Sequence, residues 1–161
     1  MGVCSLKFSI MATEIDRIVR QLEKTFNQQP WYGPSIMGTL TGIDAETINH
    51  RYGSTHSIIE LVLHMTSWRT FATKRLQGDN TFEVSPEMNF PAKGTWEEAL
   101  EGLSKSQLAL VEAMKGFSED RLGELVPSKT ERYTYYTLLH GIVQHDVYHL
   151  GQIAYIKKST S

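Results

Sequence analysis

The stretch 134–158, TYYTLLHGIVQHDVYHLGQIAYIKK, decides the fold, because it has the pattern of one long helix with an apolar face. His145 and His149 are four residues apart in it, so on a helix they point the same way, about 40° from each other. This is the spacing at which one helix offers two imidazole ligands to a metal. The pair borders the apolar side of the helical wheel, which is marked by Leu138, Ile142 and Ile153.

A second explanation of the pair is that both are partly buried, hydrogen-bonded histidines of a helical bundle. A catalytic metal site usually has at least three protein ligands, so the metal hypothesis needs a third residue from elsewhere in the chain. His64 meets this need, because it is an isolated histidine within another stretch of apolar periodicity. The other histidines fit less well. His140 lies about 140° from His145 on the wheel, and two further histidines precede the second helix in turn-like sequence, His50 and His56.

Three further helices are predicted from their start and stop signals. Thr13-x-x-Asp16 begins the first helix, which the cluster from Pro30 ends. Capping boxes at 57–60 and 95–98 begin the second and third, which run to Gly78 and Gly116. A short helical piece is expected over 35–40 and a loop over 79–94. The inward face of the third helix is predicted to hold Leu100, Leu103, Gln107, Leu108, Leu110, Val111 and Met114.

Four amphipathic helices without an alternating strand pattern predict an all-α fold, a four-helix bundle with long inter-helix connections. The connections after the first and second helices are long, which favours a crossover over a simple up-down order. Residues 12–158 are expected to form a single domain. Residues 1–11 are expected to be a flexible leader, and Met11 is an alternative natural start to Met1.

Composition excludes several classes of function. The net charge is −2 with scattered basic residues, which indicates neither nucleic acid nor a membrane surface as partner. No apolar run approaches the roughly 20 residues of a membrane span. The single cysteine, Cys4, fits a reducing cytoplasm. G-x-S-x-G, glycine-rich phosphate loops, H-E-x-x-H and paired Glu-x-x-His motifs are all absent from the sequence.

Three neutral imidazoles leave a coordination position open, which is the arrangement of a catalytic site. Zinc suits these ligands best, and nickel, iron or copper also bind them. Such a metal lowers the pKa of a bound water or thiol. Tyr148 and Gln152 flank the predicted site and are expected either to contact substrate or bound water or to pack as ordinary bundle residues. Asp146 points about 100° away and is expected to orient a neighbouring group or to face solvent.

Two segments together resemble the DinB/YfiT-like superfamily. They are S-I-I-E-L-V-L-H-M-T-S-W at 57–68 and H-D-V-Y-H-L-G-Q-I at 145–153, and P-W-Y-G-P-S at 30–35 is also similar. The resemblance covers most of residues 12–158. It implies a four-helix bundle, a homodimer, and a divalent metal held by His64, His145 and His149.

Members of that superfamily with an assigned activity are thiol-dependent, namely transferases that use bacillithiol and isomerases that use mycothiol. The resemblance therefore implies a metal-dependent enzyme that activates a low-molecular-weight thiol or water for attack on a small electrophile, as in a thiol S-transferase. Other members are described as metal-dependent hydrolases or damage-inducible proteins. A hydrolase and a non-catalytic, stress-associated metal-binding bundle or interaction module therefore stay open as alternatives.

Overall fold

The computed structural model describes residues 12–91, 94–128 and 132–160. These residues form seven α-helices and no named strand: α1 Glu14–Asn27, α2 Ile36–Leu40, α3 Ala45–Asn49, α4 Ile58–Leu76, α5 Pro86–Asn89, α6 Trp96–Lys115 and α7 Tyr135–Ser159. The predicted all-α fold is thus confirmed. The expected leader, residues 1–11, lies outside the described residues, and the single domain over 12–158 stays a prediction.

The four long helices pack as a bundle in which α4 lies against α6 and α7, and α1 lies against the same two helices. Helices α1 and α4 are therefore diagonally opposite, as are α6 and α7. Consecutive long helices would be neighbours in a simple up-down bundle. The chain instead crosses the bundle between α1 and α4 and again between α6 and α7, so the expected crossover is present.

The three predicted helix starts are hydrogen-bonded caps in the structure. Thr13, Ser57 and Thr95 each make a capping box with the acidic residue three positions on. Each box satisfies two backbone N–H groups that a helix start leaves unpaired, and losing such a cap costs about 1 kcal/mol. Gly78 follows α4 with φ 83°, the left-handed conformation that commonly ends a helix.

Two short helices were not predicted. Helix α3 begins where the Asp44 carboxylate accepts from Thr47 N. Helix α5 lies inside the expected loop 79–94, where Ser85 is the N-cap and Pro86 occupies the first turn. A serine followed by proline is a common helix start, and this one was overlooked. The last residue of α5, Asn89, contacts His64 and Trp68 of α4.

The core lies in two buried clusters, one along each half of the bundle. Leu103, Leu110 and Met114 are buried on α6 as predicted. The expectation for Leu108 is wrong, since this side chain is 72% exposed. It lies about 140° from Leu103 on the wheel, beyond the face that meets α1 and α4. In the described part of the chain, no helix has the length and apolarity needed to cross a membrane.

Candidate metal centre

The three histidines that the sequence singled out lie together between α4 and α7. His64 Nε2 is 2.9 Å from His145 Nε2, which is in turn 3.1 Å from His149 Nε2. His64 and His149 are each only 5% exposed. The cluster can hold a metal ion, and no carboxylate or cysteine of the described residues joins it.

Hydrogen bonds at the far side of two rings fix which nitrogen bears the proton. His64 Nδ1 lies 2.5 Å from the carbonyl oxygen of Asn89, and His149 Nδ1 lies 2.7 Å from Gln152 Oε1. Both oxygens can only accept, so both Nδ1 atoms carry hydrogen and both Nε2 atoms present a lone pair.

These lone pairs explain why the cluster suits a cation. His145 Nε2 bears at most one hydrogen, so it can donate to only one of its two neighbours. At least one pair of nitrogens therefore meets lone pair to lone pair about 3 Å apart, which is repulsive unless a positive centre lies between them. Tetrahedral zinc at 2.0–2.1 Å from each nitrogen would separate them by about 3.4 Å. The two separations from His145, 2.9 and 3.1 Å, are about 0.5 and 0.3 Å shorter than that value, so a small outward shift of the rings fits them to a divalent metal.

Burial keeps the cluster neutral. It lowers the pKa of His145 to about 3, with the charges of His149 and His64 adding to the effect. Burial also lowers the pKa of His149 to about 4, although the hydrogen bond that His149 Nδ1 donates to Gln152 Oε1 opposes the change. The pKa of His64 is lowered for the same reason, mainly by burial. All three rings are therefore neutral at neutral pH, which is the form that binds metal.

The structure also places the three residues predicted beside the site. Gln152 accepts from His149, so it contacts a ring of the cluster directly. Tyr148 is 65% exposed, with its ring edge-on to His149 at 4.9 Å between centroids. Asp146 is fully buried, so the solvent-facing alternative is wrong. Its Oδ2 accepts from Arg69 Nε and Nη2 at 3.2 and 2.7 Å, which joins α7 to α4 one residue after His145.

Sequence reasoning missed the residues that hold His64 in place. The Asn89 side chain accepts from Trp68 Nε1 at 3.0 Å while its carbonyl meets His64. The Phe90 ring is stacked between His56 and His64, with centroid distances of 3.5 and 4.1 Å. No sequence pattern indicates this contact, because residues 89 and 90 reach the site only through the path of the connection after α4.

Arg69 was missed for a different reason. It lies one turn after Met65 on the apolar side of α4, so its burial could have been predicted from the wheel. Buried arginine requires a partner. The sequence offered no means of choosing Asp146 among the acidic residues of the chain.

Two cavities flank the histidines. The first, called here the Trp68 cavity, has a volume of about 390 Å³ and includes His145 in its wall. The second, the Tyr148 cavity, measures about 470 Å³ and is lined by Gln152, His56 and Gly151 among others. Only the first cavity has a wall residue from the histidine cluster.

A family model described as the DinB superfamily matches residues 35–153. The match spans all three histidines and about three quarters of the chain. No curated protein and no solved structure matches the chain in the other two comparisons.

Proposed function

The chain belongs to the DinB superfamily, and from this membership and its histidine cluster we propose that it is a metal-dependent enzyme. His64, His145 and His149 are the proposed ligands. Zinc is the proposed metal, with nickel or iron as alternatives. The single observation that supports the site most strongly is the convergence of three Nε2 atoms, two of them held as lone pairs by partners at Nδ1.

The proposed reaction is attack of a low-molecular-weight thiol on a small electrophilic substrate, as in a thiol S-transferase. A divalent metal, when bound, would supply a positive centre that lowers the pKa of a thiol or water in the open position. Asn89 and Gln152 would orient two ligand rings, and their hydrogen bonds would make those rings more basic. The Trp68 cavity offers room for a reactant next to His145.

The test compares two histidines of α7. His149→Ala removes a proposed ligand, whereas His140→Ala removes a ring that lies beside Glu14 and outside the cluster. Elemental analysis of untagged protein should find about one equivalent of metal in the wild type and in His140→Ala, and little in His149→Ala. Full metal content in His149→Ala would contradict the proposed ligand set.

Activity assays then separate the reaction classes. Turnover of an electrophile panel that requires an added thiol, and that is lost in His149→Ala, would support thiol transfer. Turnover in water alone would instead support a metal-dependent hydrolase. A metal-loaded protein without either activity would favour a non-catalytic metal-binding bundle.

The proposal includes a homodimer in the cytoplasm. The superfamily resemblance supports the dimer. An exposed aromatic stripe on α7 also supports it, because Tyr148 and Tyr155 lie there on either side of Gly151. The single cysteine, Cys4, supports the cytoplasmic location. Sedimentation equilibrium of the wild type and of Tyr155→Glu tests the dimer, since a charge in that interface should shift the protein to monomer, and a wild-type monomer would contradict it.

A further inference from the structure

The Trp68 cavity has a wall of aromatic and aliphatic side chains beside the histidine cluster. Trp68 and Phe71 face each other edge to face, with ring centroids 5.4 Å apart, and Leu138 and Ile142 add aliphatic surface from α7. A cavity of about 150 Å³ is enough to hold benzene in an engineered protein. The volume of about 390 Å³ here therefore has room for a molecule of one or two rings.

The charged groups at this cavity cancel each other. Glu83 lines it, and Glu83 Oε1 accepts from Arg75 Nη2 at 2.8 Å. Arg75 is buried, and its Nε and Nη1 donate to the carbonyl oxygens of Pro127 and Asp79. Three of the five N–H groups of the guanidinium are therefore used within the protein. None of the described lining residues is a lysine or arginine, so the described side chains of the wall offer no lasting positive charge to a ligand.

A glycine widens the cavity next to the cluster. Gly141 lines it one turn before His145, in the interior of α7. A Cβ atom built at this position meets no atom within 4 Å, so packing against the protein does not require glycine. Glycine is also the least favourable residue except proline inside a helix. The missing side chain at Gly141 therefore leaves space in the Trp68 cavity, one turn from His145, that a larger residue would fill.

We infer that the Trp68 cavity binds the substrate, and that this substrate is a small, flat aromatic molecule. The inference rests on the proposed function, because the reacting atom would lie beside His145 and the metal. Trp68 and Phe71 supply stacking surface, and the Glu83 carboxylate accepts a hydrogen bond from a hydroxyl or N–H of the ligand. In the metal-free protein an anionic group is disfavoured here, since it would lose its hydration next to the Glu83 carboxylate and apolar walls.

The first experiment titrates the metal-free full chain with 2-naphthol and separately with 2-naphthalenesulfonate. The indole N–H resonance of Trp68 in NMR spectra reports binding. We expect saturable binding of 2-naphthol and at least about tenfold weaker binding of the sulfonate. Equal or tighter binding of the sulfonate to the metal-free protein would overturn the role assigned to the Glu83 carboxylate and the apolar walls.

Two glycines of α7 provide a matched pair of variants. Gly141→Leu fills the Trp68 cavity, and Gly151→Leu places the same side chain in the Tyr148 cavity, where a Cβ also meets nothing within 4 Å. Binding of 2-naphthol should weaken by at least about tenfold in Gly141→Leu and stay at the wild-type value in Gly151→Leu. Gly141→Leu should melt no lower than the wild type, because leucine favours helix over glycine. Unchanged binding in Gly141→Leu would overturn the inference.

A second readout tests the position of the ligand relative to the histidines. With one equivalent of Co²⁺ bound, as shown by elemental analysis, the proton resonances of 2-naphthol should broaden in the presence of the wild type but not of Gly141→Leu. Binding without broadening would place the ligand away from the cluster and overturn this part of the inference. Failure of the proposed function is recognised separately, since a protein that takes up no metal can still be titrated with 2-naphthol.

Discussion

Replacing Arg69 by methionine should destabilise the protein strongly, because it leaves the Asp146 carboxylate buried without a counter-charge. Both side chains of this ion pair are fully buried, and Arg69 also lies over the Phe26 ring at 5.1 Å. Removing one partner of a buried ion pair typically costs about 3–5 kcal/mol. For a chain of this size, each kcal/mol shifts the melting temperature by about 2–4 °C, so Arg69→Met should melt about 6–20 °C lower.

The stability lost in Arg69→Met should be smaller at low pH than at high pH. Burial raises the pKa of Asp146, and the Arg69 guanidinium opposes that rise. Without Arg69, the pKa of Asp146 in the folded state rises further above its value of about 3.9 in the unfolded state. Between the two values the folded state binds more protons than the unfolded state, so stability increases as pH falls. The destabilisation in Arg69→Met should therefore be smaller at pH 5 than at pH 8.

Thermal and urea unfolding at both pH values measure the effect. The double variant Arg69→Met/Asp146→Val removes both charges and should recover most of the lost stability, as replacement of buried ion pairs by apolar groups often does. Arg17→Met is the matched control, since its ion pair with Glu14 is exposed and should contribute little. A single variant as stable as Arg17→Met, or a double variant no better than the single one, would refute this reasoning.

Three further outcomes are expected. Gln152→Ala should weaken metal binding about 10–100-fold, because His149 Nδ1 loses its acceptor. Gln144→Ala, at an exposed position of the same helix, serves as the control, and equal affinities of the two variants in a competition titration with a chromophoric chelator would contradict this. Chelation should lower the melting temperature, since metal at 100 times its dissociation constant stabilises the native state by about 2.7 kcal/mol, and an unchanged transition would count against metal binding. The metal-free protein should lose stability as pH falls from 6.5 towards 4, because burial lowers the pKa of His145 to about 3 and of His149 to about 4, so the unfolded state takes up protons first. Urea unfolding between pH 4 and 7 tests this sign, and a variant with both histidines replaced by asparagine should show a smaller slope.

Helix positions and the histidine cluster could be predicted because their causes are local in sequence. A capping box spans only four residues, so each of the three boxes predicts the start of its helix to within one turn. They begin at Thr13, Ser57 and Thr95. The spacing of His145 and His149 likewise fixes their common direction through helix geometry alone. Where the predictions failed on the helices themselves, as at Leu108, the neighbours on other helices decided which face is buried.

The residues that support the cluster could not be predicted, because their contacts join distant parts of the chain. His64 and Asn89 are 25 residues apart, and Arg69 and Asp146 are 77 apart. The first contact depends on the path of an irregular connection, and the second on which two helices become neighbours in a bundle with two crossovers. Helical periodicity places Arg69 in the interior but cannot identify its partner. The ligands of the proposed metal can thus be found from helical spacing, whereas their orientation depends on tertiary structure. Substitutions at Asn89 and Arg69 therefore test the part of the site that the fold, and not the motif, determines.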